Sequence, residues 1–256
     1  MYRIADTLHR IAEHRGARIH TNTAVRRVNH ADGRVTGVEL ESGDQIPCET
    51  VLINADVVPA VQSLFGMPVR RRYRNSCSAL VFLAGYDGHL DLPHHALFFS
   101  RDFHRNLQEL FVTGVVPEDP SFYTCISART DPNDAPAGCD NLFVLAPAPH
   151  RGQTDADAEA DRVWTHVESR LAEAGYRPDR LLFRHQVGPS YWQSLGLWDG
   201  AAFGLAHNFL QSTAFRPSCR GPVSGSWFVG ASTAPGNGIP MVLISAELAT
   251  QQIRQS

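Results

Sequence analysis

Residues 223–253 read VSGSWFVGASTAPGNGIPMVLISAELATQQI, and the architecture can be built from them. VSGSWFVGA reads as a buried strand, STAPGNG as a turn of small residues, and IPMVLISAELATQQI as a helix. Pro240 falls in the first helical turn, where its missing N–H would have lacked an intrahelical acceptor anyway. Apolar residues wrap most of this helix, so it is expected to be buried. A strand, a glycine-rich turn and a helix N-terminus form a general device for anionic groups. The glycines let backbone approach closely, and the free N–H groups and helix dipole attract negative charge. The same pattern also serves as a tight strand-to-helix connection with no ligand.

At the other end, Ile4, Ala5, Leu8, Ile11 and Ala12 recur at helical spacing, and Gly16 follows as a C-terminal cap. The segments ARIHT, AVRRV, RVTGVEL and QIPCETVLINA are predicted as strands, with turns at Ala31-Asp32-Gly33 and Ser42-Gly43-Asp44. Together they predict a small antiparallel sheet ending in the apolar stretch Thr50–Ile53. Asp56 is expected to cap a helix running to Phe65. Further along, SALVFLAGY, ALFFS, FYTCISA and NLFVLAPAP read as strands, and DFHRNLQELF as a helix. The spacing of Ala160, Val163, Trp164, Val167 and Leu171 predicts an amphipathic helix over 155–174. The fold class is mixed α/β (α+β).

At 256 residues the chain is long enough for one large or two modest domains. Its 43% hydrophobic and 19% charged residues exclude global disorder, and a net charge of −3 gives no footprint for nucleic acid. All 23 basic residues are Arg, which removes every mechanism that needs a lysine, from the P-loop to Schiff bases. Five cysteines with no C-x-x-C pair predict reduced, mostly buried thiols in a cytoplasmic setting. The N-terminus is not a signal peptide, and the longest apolar runs fall far short of the roughly 20 residues of a spanning helix.

VGASTAPGNGIPMVLISAELA resembles the C-terminal flavin-binding segment of the phytoene desaturase family of carotenoid enzymes. Other blocks resemble that family in the same order: GARIHTNTAVRRV, DGRVTGVEL and VLINADVV, then SCSALVFLAGY, LPHHALFFS, PEDPSFY and APAGCDNLFVLAPAPH, then LQSTAFRP. The resemblance implies a partial FAD/NAD(P)-binding flavoprotein fold with an inserted strand-rich substrate domain. Residues 1–60 and 215–256 would belong to the FAD-binding portion and 61–214 to the substrate domain. The family's opening dinucleotide fingerprint has no counterpart, and Met1 matches a position inside relatives. A missing N-terminal half is therefore expected as a partner, and an inactive, truncated or split remnant is the rival reading. Relatives also carry His where this chain has Ala234.

By resemblance, Val25 would lie against adenine, Gly230 and Ala231 against the ribityl-diphosphate, and Gly238, Ile239, Pro240 and Met241 beside the flavin. The implied reaction removes a hydride and a proton from adjacent carbons of a carotenoid precursor such as phytoene. Relatives that act on the shorter dehydrosqualene chain or oxidise carotenoid ends share these motifs. The substrate is an apolar polyene, so the resemblance implies an apolar tunnel and catalysis by positioning. No catalytic base is assigned, and Arg216 is a candidate for electrostatic help only. The family also implies peripheral membrane attachment, for which the run Arg70-Arg71-Arg72 with Arg74 is the candidate contact with anionic lipid. Asp87, His89, Asp91, His94 and His95 are read as a solvated loop, and no metal is expected. There is no G-x-S-x-G elbow. Cys125, alternating within its strand, reads as a buried structural thiol.

Overall fold

The computed structural model of the chain describes residues 2–69, 71–212 and 215–256. Helix α1 (Tyr2–His14) ends at Gly16, whose N–H donates to Glu13 O at 2.8 Å. Strands β1 (Val25–Ala31) and β2 (Arg34–Leu40) pair antiparallel around the Asp32-Gly33 turn, and β3 (Gln45–Pro47) pairs with β2. ARIHT forms no strand; residues 17–21 are exposed and have no partner to ladder with. QIPCETVLINA splits in two. Its second part, β4 (Val51–Ile53), leaves the antiparallel sheet and later pairs in parallel with the C-terminal strand.

Helix α2 (Val57–Phe65) follows, and Gly66 ends it. The middle of the chain forms a five-stranded antiparallel sheet from β5 (Ser78–Asp87), β6 (His95–Phe98), β7 (Phe122–Cys125), β8 (Cys139–Ala148) and β9 (Leu181–Val187), in the order β6-β7-β8-β5-β9. Helix α3 (Phe103–Gln108) connects β6 to β7, α4 (Ala160–Leu171) lies between β8 and β9, and α5 (Pro189–Ser194) follows β9. Strand β10 (Ser226–Phe228) and helix α6 (Ile239–Gln255) complete the chain. β9 and α5 had no clear sequence signal, since LLFRHQV carries charge at its centre and α5 is barely two turns long.

Successive side chains of a strand point to opposite faces, so a sheet covered on one side shows a burial period of two. β8 alternates in this way over its whole length. Leu80, Phe82, Tyr86, Leu142, Val144 and Ala146 form one core with Val163, Trp164, Val167 and Leu171 of α4. The other face is different. Near the start of β5, α5 shields it, and Trp192 Nε1 donates to Ala79 O at 2.9 Å. Beyond that point Leu83, Leu97 and Phe183 are 43%, 65% and 59% exposed, beside half-buried Phe143 and Leu145. Registers Leu83↔Phe143, Tyr123↔Leu145 and Leu97↔Tyr123 put these residues on one apolar surface.

A second core joins distant parts of the chain: Val28, Val35, Ile53, Ala60 and Phe65 pack with Val223 and Phe228. β10 supplies the last of these by pairing in parallel with β4, Ser226 opposite Val51 and Phe228 opposite Ile53. Polar contacts through residues 198–200 tie the five-stranded sheet to the β4–β10 pair. Ser78 Oγ donates to Gly200 O at 2.5 Å, Asn75 Nδ2 to Trp198 O at 3.2 Å, and Trp198 N–H to Asp56 at 2.9 Å.

Two further expectations, a buried α6 and mostly buried thiols, are corrected. α6 is not buried: only Ser245 and Ala249 are, while Leu243, Ile244 and Leu248 are 52%, 42% and 40% exposed. The helix touches its neighbours through a narrow strip, with Ala249 and Ile253 against Cys219 and Trp227, while Leu243, Ile244 and Leu248 face outward. α1 buries none of its residues and exposes Ile4, Leu8 and Ile11 in the same way. The thiols are free, but only Cys219 is buried; Cys48, Cys77, Cys125 and Cys139 are half-buried.

Candidate functional site

β4 and β10 run in parallel, so their carboxyl ends leave the pair on the same side, the side on which parallel strands present ligands. Asn54, Ala55 and Asp56 emerge there from β4, and Gly230, Ala231 and Ser232 from β10. The two segments are stitched together. Val57 N–H, at the start of α2, donates to Ser232 Oγ at 3.1 Å. Asp56 occupies the cap position of α2 but makes no cap bond, because its carboxylate accepts from Trp198 N–H instead. The expected Asp56 cap is thus replaced by Ser232, 175 positions beyond Val57.

The glycine-rich turn is held from beneath by buried hydroxyls. Gly230 N–H donates to Ser245 Oγ at 3.1 Å, and Thr233 Oγ1 donates to Gly230 O at 2.9 Å. Thr233 and Ser245 hydroxyls lie 2.8 Å apart, and both residues are fully buried. Ser245 escaped the sequence reading; a lone small polar residue inside an apolar helix was the available signal. Arg216 is 4% exposed and threads under the same turn. Its Nε donates to Thr233 O at 3.1 Å, Nη2 to Ala231 O at 2.6 Å and Nη1 to Leu205 O at 3.4 Å. Burial pulls its pKa down and the Asp56 charge partly offsets this; burial likewise pushes Asp56 up, against its hydrogen bond from Trp198 and the Arg216 charge. Arg216 thus positions the turn through the carbonyls of Ala231 and Thr233 and ties it to Leu205.

Three glycines in the turn, Gly230, Gly236 and Gly238, have φ values that side chains rarely adopt, and the first and last of them differ in what surrounds them. Gly230 (φ 105) is buried, and a β-carbon there would run into Asn54 Oδ1. Gly238 (φ 98, ψ 145) is exposed at the mouth of α6, with open space where a β-carbon would stand. No side chain caps α6, and Ile239, Pro240 and Met241 are exposed around its N-terminus. An open cradle of backbone, a free helix N-terminus and small side chains fit the diphosphate and ring of a dinucleotide. Another cleft, of about 550 Å³, is lined by Arg34, Glu49, Arg220 and Ser256, on the amino-end side of β10. Its position opposite the strands' carboxyl ends argues against it as the cofactor site.

Gly230, Ala231, Gly238, Ile239, Pro240 and Met241 are therefore brought together around one turn. Val25 is not part of it: it opens β1 on the other sheet, opposite Leu40, and is 40% exposed.

A family model described as flavin containing amine oxidoreductase matches residues 1–254. The chain belongs to this family. It is 36% identical over 265 residues to the zeta-carotene-forming phytoene desaturase of Myxococcus xanthus, covering 99% of this chain and 51% of that protein. It is 30% identical over 267 residues to 4,4'-diapophytoene desaturase (4,4'-diapolycopene-forming) of Methylomonas sp, covering 99% and 52%. Its fold is similar to that of an oxidoreductase from Methanosarcina mazei, with a TM-score of 0.58, 14% identity, and 98% and 53% of the two chains covered. The chain spans about half the length of the curated relatives it matches. The family is one of flavin-containing oxidoreductases.

Substitution at Gly230 and Gly238 separates folding from cofactor binding. Each Ala variant carries about 1–3 kcal/mol of backbone strain, and Gly230→Ala adds the collision with Asn54. Gly238→Ala displaces no protein atom, so its methyl group obstructs the ligand alone. Gly230→Ala is expected to lose more stability in urea, and Gly238→Ala to lose at least roughly ten-fold in flavin affinity, read from flavin absorbance after desalting. Equal flavin binding by Gly238→Ala and the parent chain would remove this turn from the cofactor site.

Proposed function

We propose that this chain carries the flavin-facing turn and the polyene-binding surface of an enzyme that desaturates a carotenoid precursor such as phytoene. The observation that carries the reading is the apolar sheet face of Leu83, Leu97, Phe143, Leu145 and Phe183, on a sheet tied through Ser78, Asn75 and Trp198 to the cradle at Asp56. Gly230, Ala231 and the α6 N-terminus would hold FAD, which would supply the hydride acceptor for the desaturation. The substrate has no polar handle, so the sheet face binds it by burial, excludes water and sets which carbons approach the cradle. The α6 N-terminus favours negative charge beside it. We assign 1–60 with 215–256 to the FAD-binding portion and 61–214 to the substrate domain. α2 shares its core with β1, β4 and β10.

Loaded with FAD and given phytoene in liposomes, the protein is expected to form longer conjugated polyenes, followed by visible absorbance. Leu83→Asp with Phe183→Glu is expected to lower that turnover at least roughly ten-fold while flavin is retained, since two charges are placed where an apolar chain must lie. Flavin-loaded protein that leaves both phytoene and dehydrosqualene unchanged would sink the reading. Turnover of dehydrosqualene alone selects the shorter substrate.

The outward apolar residues of α1 and α6 support a further part of the proposal. They would pack against a dinucleotide-binding segment of the G-x-G-x-x-G kind, in the same polypeptide or a separate chain. Adding such a segment is expected to raise the flavin that the protein retains after desalting, and retention unchanged by it would dispose of this part of the proposal.

Access to a lipid-dissolved substrate also requires a membrane surface. No described helix is long and apolar enough to cross one. Arg71, Arg72 and Arg74 are exposed and line a cleft of about 510 Å³ with Phe209 and Leu210, which are 83% and 66% exposed. Arg70 lies outside the described residues. Cations beside protruding apolar side chains suit an anionic bilayer, each contributing about 1 kcal/mol. Changing Arg71, Arg72 and Arg74 to Ser is expected to weaken binding to anionic vesicles at low salt roughly 100-fold; unchanged sedimentation with vesicles would dispose of this contact.

A further inference from the structure

We infer that His94, His95 and Cys125 form a binding site for a zinc-class divalent cation at the β6 edge of the five-stranded sheet. The sequence groups these histidines with Asp87, His89 and Asp91, but the fold regroups them. His89 Nδ1 lies 2.9 Å from the buried Asp140 carboxylate and belongs to that network. Cys125, 30 residues further along, takes the vacated role: the β6–β7 register sets His95 directly opposite it.

One ligand atom from each of His94, His95 and Cys125 lies within 4.8 Å of the other two. Metal bonds of about 2.0–2.3 Å put tetrahedral ligands roughly 3.3–3.8 Å apart, so side-chain movements of about 1 Å close the set. The backbone holding it is laddered, with Ile126 N–H donating to His94 O at 2.8 Å. The two rings stack with centroids 4.1 Å apart, so binding would turn one out of the stack, and each has an outer partner. His94 Nδ1 lies 2.5 Å from Thr130 Oγ1, and His95 Nδ1 lies 2.6 Å from Tyr123 Oη. Ring N–H groups donated to those hydroxyls leave a free Nε2 lone pair on each imidazole, the arrangement in which outer partners hold metal-binding histidines. Among the described residues neither His94 nor His95 forms an ion pair with a carboxylate, so no competing charge neutralises the pair.

Two imidazoles and a thiolate are a donor set for borderline-soft cations rather than for calcium or magnesium. Binding releases the Cys125 proton to solvent and leaves a fourth position for water. The ion would clip edge strand β6 to β7 within the apolar sheet face, independently of whether that face binds a polyene.

The test is titration of the purified 256-residue chain with Zn²⁺, and with Co²⁺ as a spectroscopic probe. One equivalent of Co²⁺ is expected to give a thiolate-to-metal charge-transfer band that Zn²⁺ removes. Cys125→Ser should abolish the band, and His95→Gln should weaken binding at least ten-fold. In the unaltered chain Zn²⁺ should slow alkylation of Cys125, mapped by mass spectrometry, while leaving Cys48 and Cys139 unchanged. Absence of the band together with unprotected Cys125, or a band that persists in folded Cys125→Ser, would overturn the inference.

Discussion

Arg216→Met is expected to strip the protein of flavin and to lower its unfolding free energy by about 3–5 kcal/mol. The side chain is nearly fully buried and satisfies the carbonyls of Leu205, Ala231 and Thr233 at once. Met fills similar volume but donates nothing, so three buried acceptors lose their partner, at about 1–3 kcal/mol for each one left dry. Two of those acceptors lie in the turn whose N–H groups and glycines form the cradle. Loss of stability and loss of flavin are therefore expected together. Arg216→Lys should fall between the two, since a single ammonium cannot span three carbonyls as a planar guanidinium does. Urea unfolding and flavin absorbance after desalting check both effects. A Met variant with wild-type stability and full flavin content contradicts the role assigned to Arg216.

Asp140→Ala is expected to cost about 3–5 kcal/mol, the cost of breaking a buried ion pair by removing one partner. The Asp140 carboxylate is inaccessible and accepts from Arg129 Nη1 and Nη2 at 2.5 and 2.8 Å, and from Leu90 N–H at 2.8 Å. Arg129 also donates to Leu90 O and Leu92 O, so the network fastens the loop after β5 to the start of β8. Burial alone would raise the Asp140 pKa. The hydrogen bonds from Arg129, Leu90 and His89 outweigh it and hold the carboxyl below the usual carboxylate range. A depressed folded pKa contributes stability above the unfolded value, about 3.9, and loses it as pH falls through the folded value. The gap between parent and Asp140→Ala should therefore be constant above about pH 5 and shrink in more acidic solution. Chemical denaturation across that range reads it directly. A gap that widens on acidification contradicts the assignment.

The two variants act at opposite ends of one assembly. Arg216 holds the cradle at the carboxyl ends of β4 and β10, and Asp140 holds the far margin of the sheet that bears the open apolar face. The flavin assay and the polyene assay should accordingly separate: damage at the cradle removes colour, and damage on the sheet face removes turnover with colour retained.

Much of this was written locally. The small residues of 230–238, the proline in the first turn of α6 and the apolar period of 160–171 depend on neighbours a few positions away. Each fixes a backbone angle or a buried stripe by itself. The alternation in β8 likewise specifies which of its residues face α4. These features, with the ordered family resemblance, were sufficient for the α/β class, the glycine-rich turn and the flavoprotein family. ARIHT shows the limit: it has strand composition but no partner, and so forms no strand.

What only the tertiary structure decided involves residues far apart in the chain. β4 pairs with a strand 175 positions downstream, Ser232 rather than Asp56 serves α2, and Arg216 finds its three carbonyls. His95 meets Cys125 rather than Asp91, and Leu243, Ile244 and Leu248 of α6 stay uncovered because its contacts run through the narrow strip of Ser245, Ala249 and Ile253. The physical reason is common to all of them. A buried polar group takes whichever partner the shared core brings within hydrogen-bond reach, and a hydrophobic stripe is buried only where another surface meets it.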